Sequence, residues 1–244
     1  MTTLFWMDFS DDSYNRTTLW RMLVFFILYV SCYKLLRKKL KESPEYCCRL
    51  VTFAHGLIAS TVSCCYIMLP ALGYYKVDSI PSPFILSHSM GFFMFDLFWC
   101  FAHGETWVMY FHHILTVTGL FYYLFKLEKQ YFIVYAIGLT EFTNPLLQTR
   151  WFLKHYDMRD TWTFKIVEYL FFISFYAIRL IVLSYYSYEG WFNESLGFTT
   201  DDLIFTTLGA LTGYALAYQM ASYIVYQVKK TRKEEQEEQK LKEQ

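Results

Sequence analysis

Residues 84–125 read FILSHSMGFFMFDLFWCFAHGETWVMYFHHILTVTGLFYYLF. Two apolar runs, Phe84–Ala102 and Trp107–Phe125, flank a short turn centred near Gly104. Each is close to the roughly 20 residues that a helix needs to cross a hydrocarbon core about 30 Å thick. The pair therefore reads as an antiparallel hairpin of membrane-spanning helices. Its interior holds His88, Asp96, His112 and His113. Ionisable groups inside a bilayer are costly, so each needs a partner or a task.

Outward from this hairpin the pattern repeats. Further helices are expected at Thr17–Leu36, Arg49–Leu69, Tyr131–Gln148, Thr163–Ser187 and Leu203–Val228. The fold class is an all-α polytopic transmembrane bundle of about seven spans, six in a core preceded by an amino-terminal helix. Over the 244 residues, 55% are hydrophobic, 22% aromatic and 18% charged, against about 25% charged in a soluble domain. A soluble enzyme, a nucleic-acid binder and a disulfide-stapled secreted domain fit poorly, so the expected partners are membrane lipids and not nucleic acid. The first span does not read as a cleaved signal peptide: Asp8, Asp11 and Asp12 precede it and no small-x-small site follows.

Lys and Arg are unevenly placed. Fifteen fall in connection 36–49, in connection 149–165 and in the tail, and five fall on the other side. The positive-inside rule makes the fifteen-charge side cytosolic and the amino terminus lumenal. The sequons at Asn15 and Asn193 both lie on the lumenal side, Asn193 being the better glycosylation acceptor because Asn15 sits close to the membrane. Lys240 and Lys242 resemble a di-lysine retrieval signal, which implies the endoplasmic reticulum, with the plasma membrane as the alternative. The Glu/Gln/Lys tail is expected to be frayed helix or unstructured. Three segments follow: residues 1–44 with the first helix and a basic cytosolic loop, a six-helix domain at 45–230, and a charged tail at 231–244. Cys47 and Cys48 sit where palmitoylation is one reading and idle thiols the other.

Depth follows from counting residues away from each turn. Around Gly104, Asp96 and His112 fall level. Around Glu128, Asn144 falls level with His112, and around Tyr156, Glu168 falls level with Asn144. His55, Asp96, His112, His113, Glu141, Asn144 and Glu168 thus share one slab in the cytosolic half. Glu141, Asn144 and Gln148 lie on one helix face at i, i+3 and i+7, as do His112 and Thr116 at i, i+4. Pro145 frees the carbonyl of Glu141 and favours a kink. A structural role is open for each residue, since interhelical hydrogen bonds are worth about 0.6–2 kcal/mol. His112, His113 and Asp96 are the candidate catalytic residues, because a carboxylate beside an imidazole gives it the basicity and orientation of a general base. His55, Thr116, Glu141, Asn144 and Glu168 complete the polar layer. The chain offers neither HExxH nor the histidine spacing of a membrane di-iron site, so no metal is expected. A receptor reading lacks an outer ligand pocket.

These segments resemble the TLC-domain proteins, the family of the ceramide synthases and the translocating-chain-associating membrane protein. The resemblance rests on Cys48–Gly56, Gly91–Asp96, His112-His113-x-x-Thr116 and Glu141–Leu153, and it covers about residues 45–230. It implies a lipid-handling bundle. Ceramide synthases continue from the paired His to a His-Asp-x-x-Asp on the next helix, where this chain has Glu141-x-x-Asn144. Asp157-x-x-Asp160 has similar spacing but precedes the sixth span. Three functions remain open: binding or modifying a lipid near the cytosolic leaflet, acyl transfer with acyl-CoA as co-substrate and no other cofactor, and a non-catalytic scaffold or regulator. A homodimer is compatible with all three.

Overall fold

The computed structural model describes residues 12–73, 82–126 and 129–242. Asp8, Asp11 and Glu128, used in the sequence reading, lie outside the described residues. The chain is all-α, with no strand among the described residues. Its helices are α1 (Asp12–Leu40), α2 (Pro44–Ala71), α3 (Ser82–His103), α4 (Trp107–Lys126), α5 (Gln130–Glu141), α6 (Thr143–His155), α7 (Trp162–Tyr176), α8 (Leu183–Phe192) and α9 (Thr200–Lys242). Five helical stretches are long and apolar enough to cross a membrane: Ser13–Leu40, Pro44–Tyr66, Ser82–His103, Trp107–Lys126 and Trp162–Phe192.

The helix ends follow local chemistry. Ser43 caps α2, its Oγ accepting from the Tyr46 amide at 3.1 Å, with Pro44 in the first turn, where no amide donor is missed. Gly104 ends α3 at φ +69°, a left-handed conformation that costs glycine little, and its amide bonds back to the Cys100 carbonyl at 3.0 Å. That stop makes the α3–α4 hairpin tight.

The expected span Tyr131–Gln148 is two helices. α5 ends at Glu141, Phe142 forms the joint, and α6 continues seven residues past Gln148, to His155. Pro145 lies in the first turn of α6, where its missing donor does not matter. The break therefore sits three residues before the proline, and the expected connection 149–165 shrinks to the stretch between His155 and Trp162. The expected span Leu203–Val228 lies inside α9, which stays helical through the charged tail to Lys242, with Lys233 and Glu237 paired at 3.7 Å.

Two compact units make up the chain, Met1–Ile178 and Arg179–Gln244. In the first, α1 packs on α3, α2 on α5 and α6, α3 on α4, and α6 on α7. Its core joins Tyr29, Val51, Leu86, Phe92, Leu120, Leu124 and Val134. Hydrocarbon surroundings give little hydrophobic drive for helix pairing, so close contact has to supply it. Three glycines permit that contact, Gly138 most tightly, where a Cβ would lie 2.3 Å from Ser63 Cβ. A Cβ on Gly91 would lie 2.5 Å from Phe25 Cβ and 2.7 Å from the Phe26 backbone nitrogen, and one on Gly56 would lie 2.9 Å from Asn144 Cβ. In the second unit α8 packs on α9. The Trp191 indole donates to Thr207 Oγ1 at 2.9 Å, and Thr199 and Asp202 cap α9 through 2.8 and 2.9 Å bonds. The outside is apolar: Trp20 is 66% exposed, Phe98 61% and Ile173 67%. That surface needs lipid around it.

Candidate functional site

The first unit brings together two separate histidine–carboxylate pairs. In the α3–α4 hairpin, His113 Nε2 stands 3.3 Å from Asp96 Oδ2. Between α2 and α5, His55 Nε2 stands 3.7 Å from Glu141 Oε2. The Phe93 ring lies against both imidazoles, 5.6 Å from His55 and 6.1 Å from His113 between centroids.

The His55 pair is closed and well tied. His55 is 0% exposed and Glu141 3%. The Tyr29 hydroxyl contacts His55 Nδ1 at 3.1 Å and His88 Nε2 at 2.6 Å. Tyr29 has one O–H, so it donates to one ring and accepts from the other, and the ring that donates has its tautomer fixed. The His55 ring also stacks on Phe92 at 3.8 Å. On the far side, Asn144 Nδ2 donates to Glu141 Oε2 at 2.7 Å across the α5–α6 joint. Four helices and the head of a fifth are therefore fastened at one point.

The Asp96 pair differs in exposure and at one ring nitrogen: His55 lacks a hydrogen-bond partner at Nε2 alone, its Nδ1 being held by Tyr29. The Asp96 side chain is 15% exposed and His113 only 4%. Neither ring nitrogen of His113 has a hydrogen-bond partner, because Nε2 meets Asp96 at ion-pair distance without hydrogen-bond alignment. Buried polar atoms left in this state cost about 1–3 kcal/mol each, and most proteins satisfy them. His112 sits beside it, half-buried, with ring centroids 5.1 Å apart.

The remaining polar-layer residues divide. Thr116 donates to the His112 carbonyl at 2.8 Å within its own helix. Glu168 does not join Asn144: it receives Arg150 Nε and an Arg150 guanidinium NH2 at 2.8 and 2.7 Å. Gln148 accepts from Arg49 at 3.1 Å. The sequence reading missed Tyr29, His88 as its partner, Arg49 and Arg150. Tyr29 is one of 22 tyrosines and carried no signal of its own. The spacing Glu141-x-x-Asn144 did carry one.

Outside this layer, Asn15 is buried within α1, at 7% exposure, a poor acceptor for a bulky glycan. Asn193 lies in the exposed link after α8, with Oδ1 accepting from the Ser195 amide at 3.2 Å. Cys47 and Cys48 are both buried, which withdraws them from acylation in this fold.

Fold and surface define a multi-pass integral membrane protein. A family model for the TLC domain matches residues 17–230, so the chain belongs to the TLC-domain family, whose biology is linked to lipids. No solved structure matches it.

Proposed function

We propose that this protein handles a membrane lipid at Asp96 and His113, with His112 beside them, and that the chemistry is acyl transfer. The observation carrying this reading is the contrast between the two pairs. His55 and Glu141 are 0 and 3% exposed, and only Nε2 of His55 lacks a partner, its Nδ1 being held by Tyr29. His113 has two unpartnered nitrogens next to a carboxylate that reaches the surface. A general base has to lie within hydrogen-bond reach of the proton it takes. In that step an amine or hydroxyl of the acceptor lipid attacks a thioester carbonyl of acyl-CoA. Its proton passes to His113, the C–S bond breaks, and the proton leaves with the thiol. Asp96 stabilises the imidazolium between the two transfers. The His55–Tyr29–His88 and Glu141–Asn144 contacts serve as a rigid support, and the scaffold reading applies to them.

The segments carrying the family resemblance point to TLC domain-containing protein 5 as the relative. The missing His-Asp-x-x-Asp argues for an acceptor other than that of the ceramide synthases. Comparing whole lipidomes of cells with and without the protein tests the reading. One lipid class and its acylated product should shift in opposite directions and return with the wild-type chain. An unchanged lipidome would remove the proposal.

Seven crossings follow if α5 with α6 makes one and α9 another. The Lys/Arg distribution then puts Gln244 in the cytosol and Asn193 in the lumen, and the Lys240/Lys242 pattern supports the endoplasmic reticulum over the plasma membrane. An epitope tag after Gln244 should bind antibody once the plasma membrane alone is opened, and Asn193→Gln should abolish a glycan-dependent mobility shift. A tag protected under those conditions would invert the orientation.

A further inference from the structure

We propose that the carboxyl-terminal end of α1 docks on anionic phospholipids, with Lys34, Lys38, Lys39 and Lys41 against the headgroups of the leaflet that this end enters. From Lys34 to Arg49 the chain carries six cations, Lys34, Arg37, Lys38, Lys39, Lys41 and Arg49, against two acids, Glu42 and Glu45. Two of the cations are committed within the protein. Arg49 pairs with Glu45 at 2.9 Å and donates to Gln148, and Arg37 donates to the Glu42 carbonyl just past the end of α1. The four lysines are exposed, and none of their ammonium groups has an ion-pair or hydrogen-bond partner among the described residues. They outnumber Glu42, the other acid of the stretch. A positive patch in this state attracts a negatively charged surface.

The face of α1 that carries the lysines identifies that surface as lipid. Trp20, Val24, Ile27, Ser31, Lys34 and Lys38 follow one another at steps of three and four residues, which is one face of a helix, and all six are exposed. An apolar stripe bare of protein thus runs into the cations, and whatever covers the stripe also borders the lysines. The span Ser13–Leu40 has 28 residues, and its apolar window is only 11% buried. At 1.5 Å per residue it is about 42 Å long, against about 30 Å of hydrocarbon and about 40–45 Å with the headgroups included. With the excess shared between the ends, the last turn lies among the headgroups, where Lys38 and Lys39 sit. Lys34, one turn deeper, reaches that level by extending its apolar stem. Lys41 follows at φ +56°, the left-handed residue that closes the helix. Four or more basic residues at the cytosolic end of a span are the pattern that gathers anionic lipids. This inference is independent of the catalytic reading, because it is measured as lipid association and not as turnover.

The test uses the purified full-length protein reconstituted in phosphatidylcholine vesicles with a trace of spin-labelled phosphatidylserine or spin-labelled phosphatidylcholine. The label is present in both leaflets, so orientation does not enter. The motionally restricted fraction of the label reports association. Phosphatidylserine should associate roughly fivefold more strongly than phosphatidylcholine at low salt, and about 1 M salt should remove most of that preference by screening. Changing Lys34, Lys38, Lys39 and Lys41 together to Gln should bring the preference below about twofold, and changing the same four to Arg should keep it. Phosphatidylcholine association should be equal in all three chains. Lys38→Gln with Lys39→Gln alone should give an intermediate value, and decides the matter where the fourfold Gln variant does not reconstitute. The proposal is overturned by a preference that is unchanged at high salt, that survives undiminished in either Gln variant, or that is lost equally in the Arg variant. It is also overturned if wild type shows no preference, an outcome that would leave the lysines to water or to an acidic protein.

Discussion

Gly91→Ala is expected to deplete folded protein severely. The added methyl would lie 2.5 Å from Phe25 Cβ and 2.7 Å from the Phe26 backbone nitrogen. Cβ atoms in folded proteins do not approach that closely. The obstacle is partly backbone, so a rotamer change cannot relieve it and α1 has to move off α3. Overpacking a tight core costs typically 1–3 kcal/mol and sometimes more. At about 3 kcal/mol the folded fraction falls roughly a hundredfold relative to the unfolded one. Size-exclusion profiles of the detergent-solubilised protein should lose their monodisperse peak. Gly91→Ala with Phe25→Ala should not restore it, because residue 25 keeps its Cβ and the Phe26 nitrogen also remains in the way. Restoration by that second change would mean that the α1–α3 approach is looser than the structure has it.

The second large effect is chemical. His113→Ala removes the imidazole facing Asp96 and is expected to reduce turnover by about 10² to 10⁴, the usual worth of a general base. The buried ring leaves a cavity on truncation, offset in part by removing two unpartnered nitrogens, so turnover is measured per folded molecule. Asp96→Asn should act in the same direction, because the amide keeps the shape and loses the charge that stabilises an imidazolium. Glu141→Gln should do the reverse. Glu141 is buried beside His55 and accepts from Asn144 at the α5–α6 joint, so its loss should lower the yield of folded protein while each folded molecule works normally. Leu115→Ala, an apolar change two residues from His113, should be tolerated.

Much of this arrangement was legible in the chain. The turn at Gly104 fixed the hairpin, and counting from it set Asp96 at the level of the paired histidines. The count picked His112 as the partner because it was centred on Gly104. α3 ends at His103 and α4 begins at Trp107, so the turn is centred on Glu105, one residue later than the count assumed, and the carboxylate contact falls to His113. One residue along a helix turns the side chain by about 100°. The joint at Phe142 was signalled by Pro145, but the extension of α6 to His155 was not. Residues 149–155 are polar enough to read as a loop, yet Arg150 finds Glu168 on α7 and Arg49 on α2 covers Trp151 at 4.6 Å. Tertiary partners overrode local composition. Glu168 was counted level with Asn144 from a turn at Tyr156, but α6 ends at His155 and α7 begins at Trp162, and the later turn brings Glu168 opposite Arg150. Tyr29 had no sequence signal because phenols are common in this chain and only their neighbours give them a task.

The most direct test of the central claim is lipid-profile rescue per folded molecule. Cells lacking the protein would receive wild type, His113→Ala, Asp96→Asn, Glu141→Gln or Leu115→Ala, and rescue would be divided by the amount of monodisperse protein recovered in detergent. We expect His113→Ala and Asp96→Asn to fail to rescue per folded molecule, while Glu141→Gln and Leu115→Ala rescue in proportion to their folded amount. Full rescue per molecule by His113→Ala and Asp96→Asn would contradict the assignment and make both polar pairs part of the packing of the bundle.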